Sequence, residues 1–246
     1  MRPYTIGIAG KGGTGKTTIA SLLVRCLIAE GKRPVLAVDA DPNANLHEAL
    51  GVIFHETLGS MREDAFTKSI PPGMSRTDYI ALRFRKVLVE SEGFDLIAMG
   101  RPEGTGCYCF ANDLLTTAMQ NLVKEYPFII IDNEAGMEHL ARGTIGMPDI
   151  LLIISDPGVR GIRTADRIRT IATDLGMPDD KMLLIVNRAV PGHTKSGAFA
   201  SIPLDPAVDE ADLAGEPVSL IPRDSPARQV VCELISRIET VFRDTN

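Results

Sequence analysis

Six short apolar runs punctuate the chain: TIGIA (5–9), PVLAV (34–38), FDLIAM (94–99), FIIID (128–132), DILLIIS (149–155) and MLLIVN (182–187). They are nearly continuous rather than alternating, as in strands buried on both faces of a parallel sheet. Between them, apolar residues recur at one-face helical spacing. Ile19, Leu22, Leu23, Cys26 and Leu27 do so within 16–30, and 160–174 and 225–243 carry similar patterns. Strands alternating with helices predict an α/β fold, a doubly wound, mainly parallel sheet flanked by helices. No repeat, linker or low-complexity run interrupts the pattern, so a single domain spanning 1–246 is expected. Residues 55–78 and 189–217 are poor in pattern and read as irregular insertions.

Composition narrows the function classes. Hydrophobic residues make up 44% and charged residues 24% of 246, an ordinary globular balance with ample length for a large core. The net charge of −6 argues against nucleic-acid binding by bulk charge. No apolar run approaches the roughly 18 residues of a membrane span. No basic start with an apolar run and cleavage site marks a signal peptide, so a cytoplasmic protein without membrane contact is expected. Disulfides are rare in that compartment, and paired cysteines there more often mean metal or redox chemistry.

The first chemical motif follows the first apolar run. GKGGTGKTT (10–18) contains G-x-x-x-x-G-K-[ST] as Gly10, Gly15, Lys16 and Thr17, between a predicted strand and a predicted helix. Glycines let the backbone curl so that several N–H groups point at one phosphate. The N–H groups of Gly12, Gly13, Thr14, Gly15, Lys16, Thr17 and Thr18 are the candidates. Lys16 reaches the β- and γ-phosphates, the Thr17 hydroxyl ligates Mg²⁺, and the helix N-terminus adds its partial positive charge.

A second lysine, Lys11, follows Gly10, and KGGTGKTT resembles the deviant Walker A of the MinD/ParA/nitrogenase-iron-protein class of ATPases. The resemblance implies that Lys11 reaches across a homodimer interface to the partner's nucleotide, where a cation stabilises transferring charge. It implies further roles. VDADPNANL (38–46) resembles switch I, with Asp41 orienting the attacking water and Asp39 holding the loop. Asn45 stands where nitrogenase iron proteins have a second aspartate. IIIDNEAG (129–136) resembles Walker B with switch II, Asp132 holding Mg²⁺ through water and the Gly136 N–H sensing the γ-phosphate. Asn187 and Arg188 end a strand, and the segment Pro222-Arg223-Asp224 precedes the last helix; in related ATPases matching residues line adenine and ribose. No N/T-K-x-D motif is present, which favours ATP over GTP.

The four cysteines divide into two kinds. Cys26 and Cys232 lie at helical spacing among Leu, Ile and Val and read as free thiols packed as small core hydrophobes. Cys107 and Cys109 lie in GRPEGTGCYCFAN (100–112), between a strand and a helix. A Cys-Tyr-Cys disulfide would close a strained ring. Two thiolates are half of a four-ligand metal site, and His47 and His139 lack ligand spacing to complete it. A two-fold dimer with this loop near its axis supplies four sulfurs, suited to Zn²⁺, an iron–sulfur cluster or Ni²⁺.

GRPEGTGCYCFAN together with GMEHLARG (136–143) resembles the CooC-type ATPases, including the AcsF group, over nearly the whole chain. This implies ATP-dependent maturation of a client nickel enzyme, carbon monoxide dehydrogenase or acetyl-CoA synthase, with Ni²⁺ or Zn²⁺ held between two protomers by Cys107 and Cys109. Two other readings stand beside it. A MinD/ParA-like positioning ATPase would need a membrane-binding terminal helix or a basic DNA-binding surface, whereas residues 227–243 mix Glu233, Arg237, Glu239 and Arg243. A nitrogenase-iron-protein-like electron-transfer ATPase would need a cysteine past switch II, and NEAGMEHLARG has none.

Overall fold

The computed structural model describes residues 2–67, 70–100, 109–134, 146–190 and 197–243. All six apolar runs become strands: β1 (Tyr4–Gly10), β2 (Val35–Asp39), β4 (Phe94–Ala98), β5 (Phe128–Asp132), β6 (Ile150–Ser155) and β7 (Met182–Ala189). Two short edge strands, β3 (Val89–Ser91) and β8 (Ala200–Pro203), complete the sheet. Among the described residues eight strands run in the order β3-β4-β2-β5-β1-β6-β7-β8, with only the β3–β4 pair antiparallel. Parallel pairing puts the C-terminal ends of β1, β2, β5, β6 and β7 along one edge, the edge at which open α/β sheets bind ligands.

Both sheet faces are covered, which is why the runs are continuous. Ile6, Ile8, Ile130, Leu152 and Ile154 point to a core shared with α1 (Lys16–Ala29) and the last helix, α8 (Pro226–Arg243). Val231, Leu234, Ile235 and Ile238 of α8 are buried there. On the opposite face Ala9, Leu151 and Ile153 pack against α6 (Val159–Asp174). Leu36, Val38, Ile129 and Ile131 face a third core beside α4 (Arg76–Val87) and α5 (Cys109–Val123).

The two segments read as irregular hold regular structure. Residues 55–78 contain α3 (Leu58–Thr67) and the start of α4. Residues 189–217 contain β8 and α7 (Pro206–Ala214). The helix α4 is mostly polar, and its Ser75 cap accepts the Asp78 N–H at 3.1 Å, a local device the apolar pattern does not reveal. A short helix, α2 (Leu46–Leu50), follows β2.

Cys26 and Cys232 require a correction. They are joined by a disulfide, with Cα atoms 5.2 Å apart, and are not free thiols. The cause is tertiary: α1 and α8 lie side by side on the same sheet face, so cysteines 206 residues apart meet. Cys107 is outside the described residues, and Cys109 begins α5.

Candidate functional site

The phosphate loop joins β1 to α1 at the sheet's central switch. Gly10 sits in register with Ile154, and a Cβ at Gly10 would collide with the Ile154 carbonyl oxygen. Gly15 has φ 90°, and a side chain there would strike the Asn187 amide. Both positions therefore demand glycine. The Thr14 hydroxyl donates to the Lys11 carbonyl at 2.8 Å and closes the curl. Lys16, the first residue of α1, is buried. Lys11 is exposed, directed away from its own core.

Two buried aspartates stand at the loop's flank. Asp132 ends β5 and Asp39 ends β2, opposite one another in the parallel register. The Thr17 hydroxyl donates to Asp132 Oδ2 at 2.6 Å, while Asp132 Oδ1 is buried with no partner among the described residues. Burial pushes the Asp132 carboxyl up to about 6; the Thr17 hydroxyl and Lys16 ammonium oppose the rise, and the Asp41 charge adds to it. An orphaned carboxylate oxygen beside a loop hydroxyl fits Mg²⁺, a hard cation that takes oxygen ligands.

Asp39 is bonded differently. It accepts the N–H of Asp41 at 3.1 Å and of Leu46 at 2.8 Å, so it holds the switch-like loop in shape. Burial pushes its carboxyl up to about 7; these two donors oppose the rise, and the charges of Asp132 and Asp41 add to it. Asp41 lies at the loop's half-buried crest, its Oδ1 accepting the Asn43 N–H at 2.8 Å. Asn45 is exposed. Gly136 lies outside the described residues.

Asn187 and Arg188 reach the phosphate loop from β7. Asn187 Nδ2 donates to the Thr14 carbonyl at 2.8 Å, and Arg188 Nη1 donates to the Gly13 carbonyl at 3.4 Å. Arg188 takes φ 53°, rare for a residue with a side chain, at a register shift between β7 and β8. Asn187 thus braces the loop from behind.

The cleft beside Gly15, Thr18 and Asn187 is lined by Pro203, Leu204 and Asp205. Pro222, Arg223 and Asp224, expected on the base side, are exposed and are not among its lining residues. The chain contains two Ile-Pro-x-Asp segments, and the one at 202–205 follows β8 into the cleft. Asp205 itself is a structural anchor. Burial pushes its carboxyl up, yet the Ser225 hydroxyl and the Ala227 and Ala207 N–H groups hold it below the usual carboxylate range. A neighbouring cavity of about 480 Å³ runs from Thr17 and Thr18 past Asn45 and Arg188 to Asp209.

Sequence reasoning missed Asn133. It is buried after β5, donates to the Ile8 carbonyl at 3.1 Å, and leaves its own Oδ1 without a partner among the described residues. An amide directly after a buried Walker B-like aspartate was the available signal. Among the described residues no group of three or more His, Cys, Asp or Glu side chains is placed to hold a metal ion. None of the described helices is long and apolar enough to cross a membrane.

Comparisons with known proteins agree with this geometry. The model of the CobQ/CobB/MinD/ParA nucleotide binding domain matches residues 6–218. An uncharacterized ATP-binding protein of Methanocaldococcus jannaschii is 36% identical over 95% of this chain and 97% of its own length. The carbon monoxide dehydrogenase accessory protein CooC of Rhodospirillum rubrum is 35% identical over 85% of this chain and 87% of its own. The solved structure of the septum site-determining protein MinD of Pyrococcus horikoshii, complexed with Mg-ADP, superposes with a TM-score of 0.69 at 22% identity, covering 97% of each chain.

Proposed function

The chain belongs to the CobQ/CobB/MinD/ParA nucleotide-binding family of P-loop ATPases, and we propose that it is a metallochaperone that inserts nickel into carbon monoxide dehydrogenase or acetyl-CoA synthase. The observation that carries this reading is the similarity to CooC along 85% of the chain, in a sequence that places Cys107-Tyr108-Cys109 at the entry to α5.

The chain's own residues then divide the work. Lys16 and the N–H groups of Gly12 to Thr18 bind the triphosphate of ATP. Thr17 and Asp132 hold Mg²⁺. That ion, when bound, offsets the negative charge on the β- and γ-phosphates. Asp41 orients the attacking water, with Asp39 fixing the loop that carries it. Pro203 and Leu204 offer the apolar wall for the base, and Asn187 and Arg188 hold the loop that faces it. Lys11, exposed and unused by its own site, reaches the nucleotide of a second protomer. ATP thereby pulls two chains together.

Dimerisation brings two copies of Cys107 and Cys109 into one four-sulfur site for the cargo ion. Thiolate-bound metals leave slowly unless their ligands separate or are protonated. Hydrolysis loosens the dimer and separates them. Cys107→Ser tests this reading. It should lose the bound metal and keep ATP affinity. Unchanged Ni²⁺ or Zn²⁺ binding in that variant would remove the cysteine site from the account.

A further inference from the structure

Helix α6 carries a charge pattern that neither the core nor the nucleotide site uses. Its buried positions, Gly161, Ala165, Ile168 and Ala172, recur at helical spacing and face the sheet. Arg160, Arg163 and Arg167 are all exposed. Spacings of three and four place them on one stripe of the opposite face. At about 1.5 Å per residue the stripe is about 10 Å long.

The stripe is unneutralised. Arg169, on the flank, is engaged: its guanidinium donates to Asp179 at 2.5 Å and to the Met182 carbonyl at 3.0 Å. Arg160, Arg163 and Arg167 make no side-chain hydrogen bond or ion pair among the described residues. Asp156, just before the helix, accepts the Gly158 N–H at 2.8 Å. Asp166, three residues on from Arg163, and Asp174, seven on from Arg167, form no ion pair with the stripe among the described residues. Arginines three and four residues apart repel along a helix, so the stripe opposes the element that carries it. Helix stability does not account for it.

Two further features indicate what it meets. Val159 and Ile171, at the two ends of the arginine stretch, are large, apolar and 67% and 44% exposed. Arginine beside apolar anchors is the composition of protein interfaces, and Arg pairs carboxylates through a planar fork. Phosphate-backbone binding instead needs an extended basic surface, and this chain carries a net charge of −6. The stripe also begins at the nucleotide edge, because α6 follows β6, whose Ile154 lies opposite Gly10.

We infer that the exposed face of α6 docks an acidic segment of a partner protein. Carboxylates of that segment pair with Arg160, Arg163 and Arg167, and its apolar side chains cover Val159 and Ile171. The inference is independent of the nickel reading, since it uses neither Cys107 nor Cys109.

The test is fluorescence anisotropy of the full chain against a labelled acidic amphipathic helical peptide built from Glu and Leu. The wild type should bind, and added salt should weaken binding. The triple variant Arg160→Ala/Arg163→Ala/Arg167→Ala should bind about tenfold or more weakly, with a melting temperature no lower than the wild type's. The triple Lys variant should recover only part of the loss, because Lys keeps charge without the fork. Equal peptide binding by wild type and the triple Ala variant, or no binding by the wild type, overturns the inference. So does duplex DNA that displaces the peptide with the same arginine dependence. A change in sedimentation of the triple variant alone would assign the stripe to a second copy of this chain and also overturn it.

Discussion

Asp132→Asn separates the cost of the nucleotide site from its use. In the folded chain burial pushes Asp132 up to about 6, from an ordinary value of 3.8. The folded state therefore holds its proton more tightly than the unfolded state does. Below 3.8 both states are protonated and the group has no ionisation cost. As pH rises through 6 the folded chain must ionise a buried carboxyl, and stability is lost. The rise corresponds to about 3 kcal/mol at pH values above 6. Asparagine keeps the shape and still accepts the Thr17 hydroxyl, but it never ionises. The variant, free of nucleotide, should be more stable than the wild type by up to about 3 kcal/mol at alkaline pH. The gap should close as pH falls toward 4. In return, stabilisation by ATP with Mg²⁺ should disappear, because the orphaned Oδ1 becomes an amide nitrogen that cannot take a cation. Denaturant titrations across this pH range, with and without Mg·ATP, read both effects. A variant less stable than wild type at alkaline pH, or a gap that ignores pH, refutes the reasoning.

Other consequences follow from the same contacts. Cys232→Ser removes the tie between α1 and α8, which spans 206 residues; a cost of about 2–5 kcal/mol in denaturant stability is expected, matched by reduction of the wild type. Asn187→Ala removes the brace on Thr14 and should weaken ATP binding about tenfold or more in calorimetry, consistent with loss of a buried hydrogen bond, with the fold retained. Leu204→Asp should weaken ATP binding, whereas Arg223→Ala should leave it within about twofold, since additive surface effects stay small. Lys11→Ala should keep ATP binding and lose ATP-dependent dimerisation, read by sedimentation.

The sequence exposed those parts of the molecule whose causes are local. Two-face burial makes a strand continuous in Leu, Ile and Val, so all six long strands were visible as runs. The phosphate loop was visible because its glycines, Lys16 and Thr17 are contiguous. What escaped depends on distant contacts. Cys26 and Cys232 look like core residues on two separate helices, and only the packing of α1 on α8 joins them. Of two Ile-Pro-x-Asp segments, 202–205 lines the cleft beside Asn187, a placement set by the course of β8 that letters do not reveal. β3 and β8 are edge strands of three and four residues, too short for a period to show. Asp39 was legible as a loop holder, and its two backbone donors bear that out.

The central claim is that ATP assembles one cargo site from two chains. Metal content measured against dimer fraction, with and without ATP, for wild type and Cys109→Ser, tests it most directly. The account predicts one Ni²⁺ or Zn²⁺ per wild-type dimer, none in the Cys109→Ser dimer, and ATP-dependent dimerisation in both. Metal bound to wild-type monomers at one ion per chain, or retained by Cys109→Ser, would contradict it.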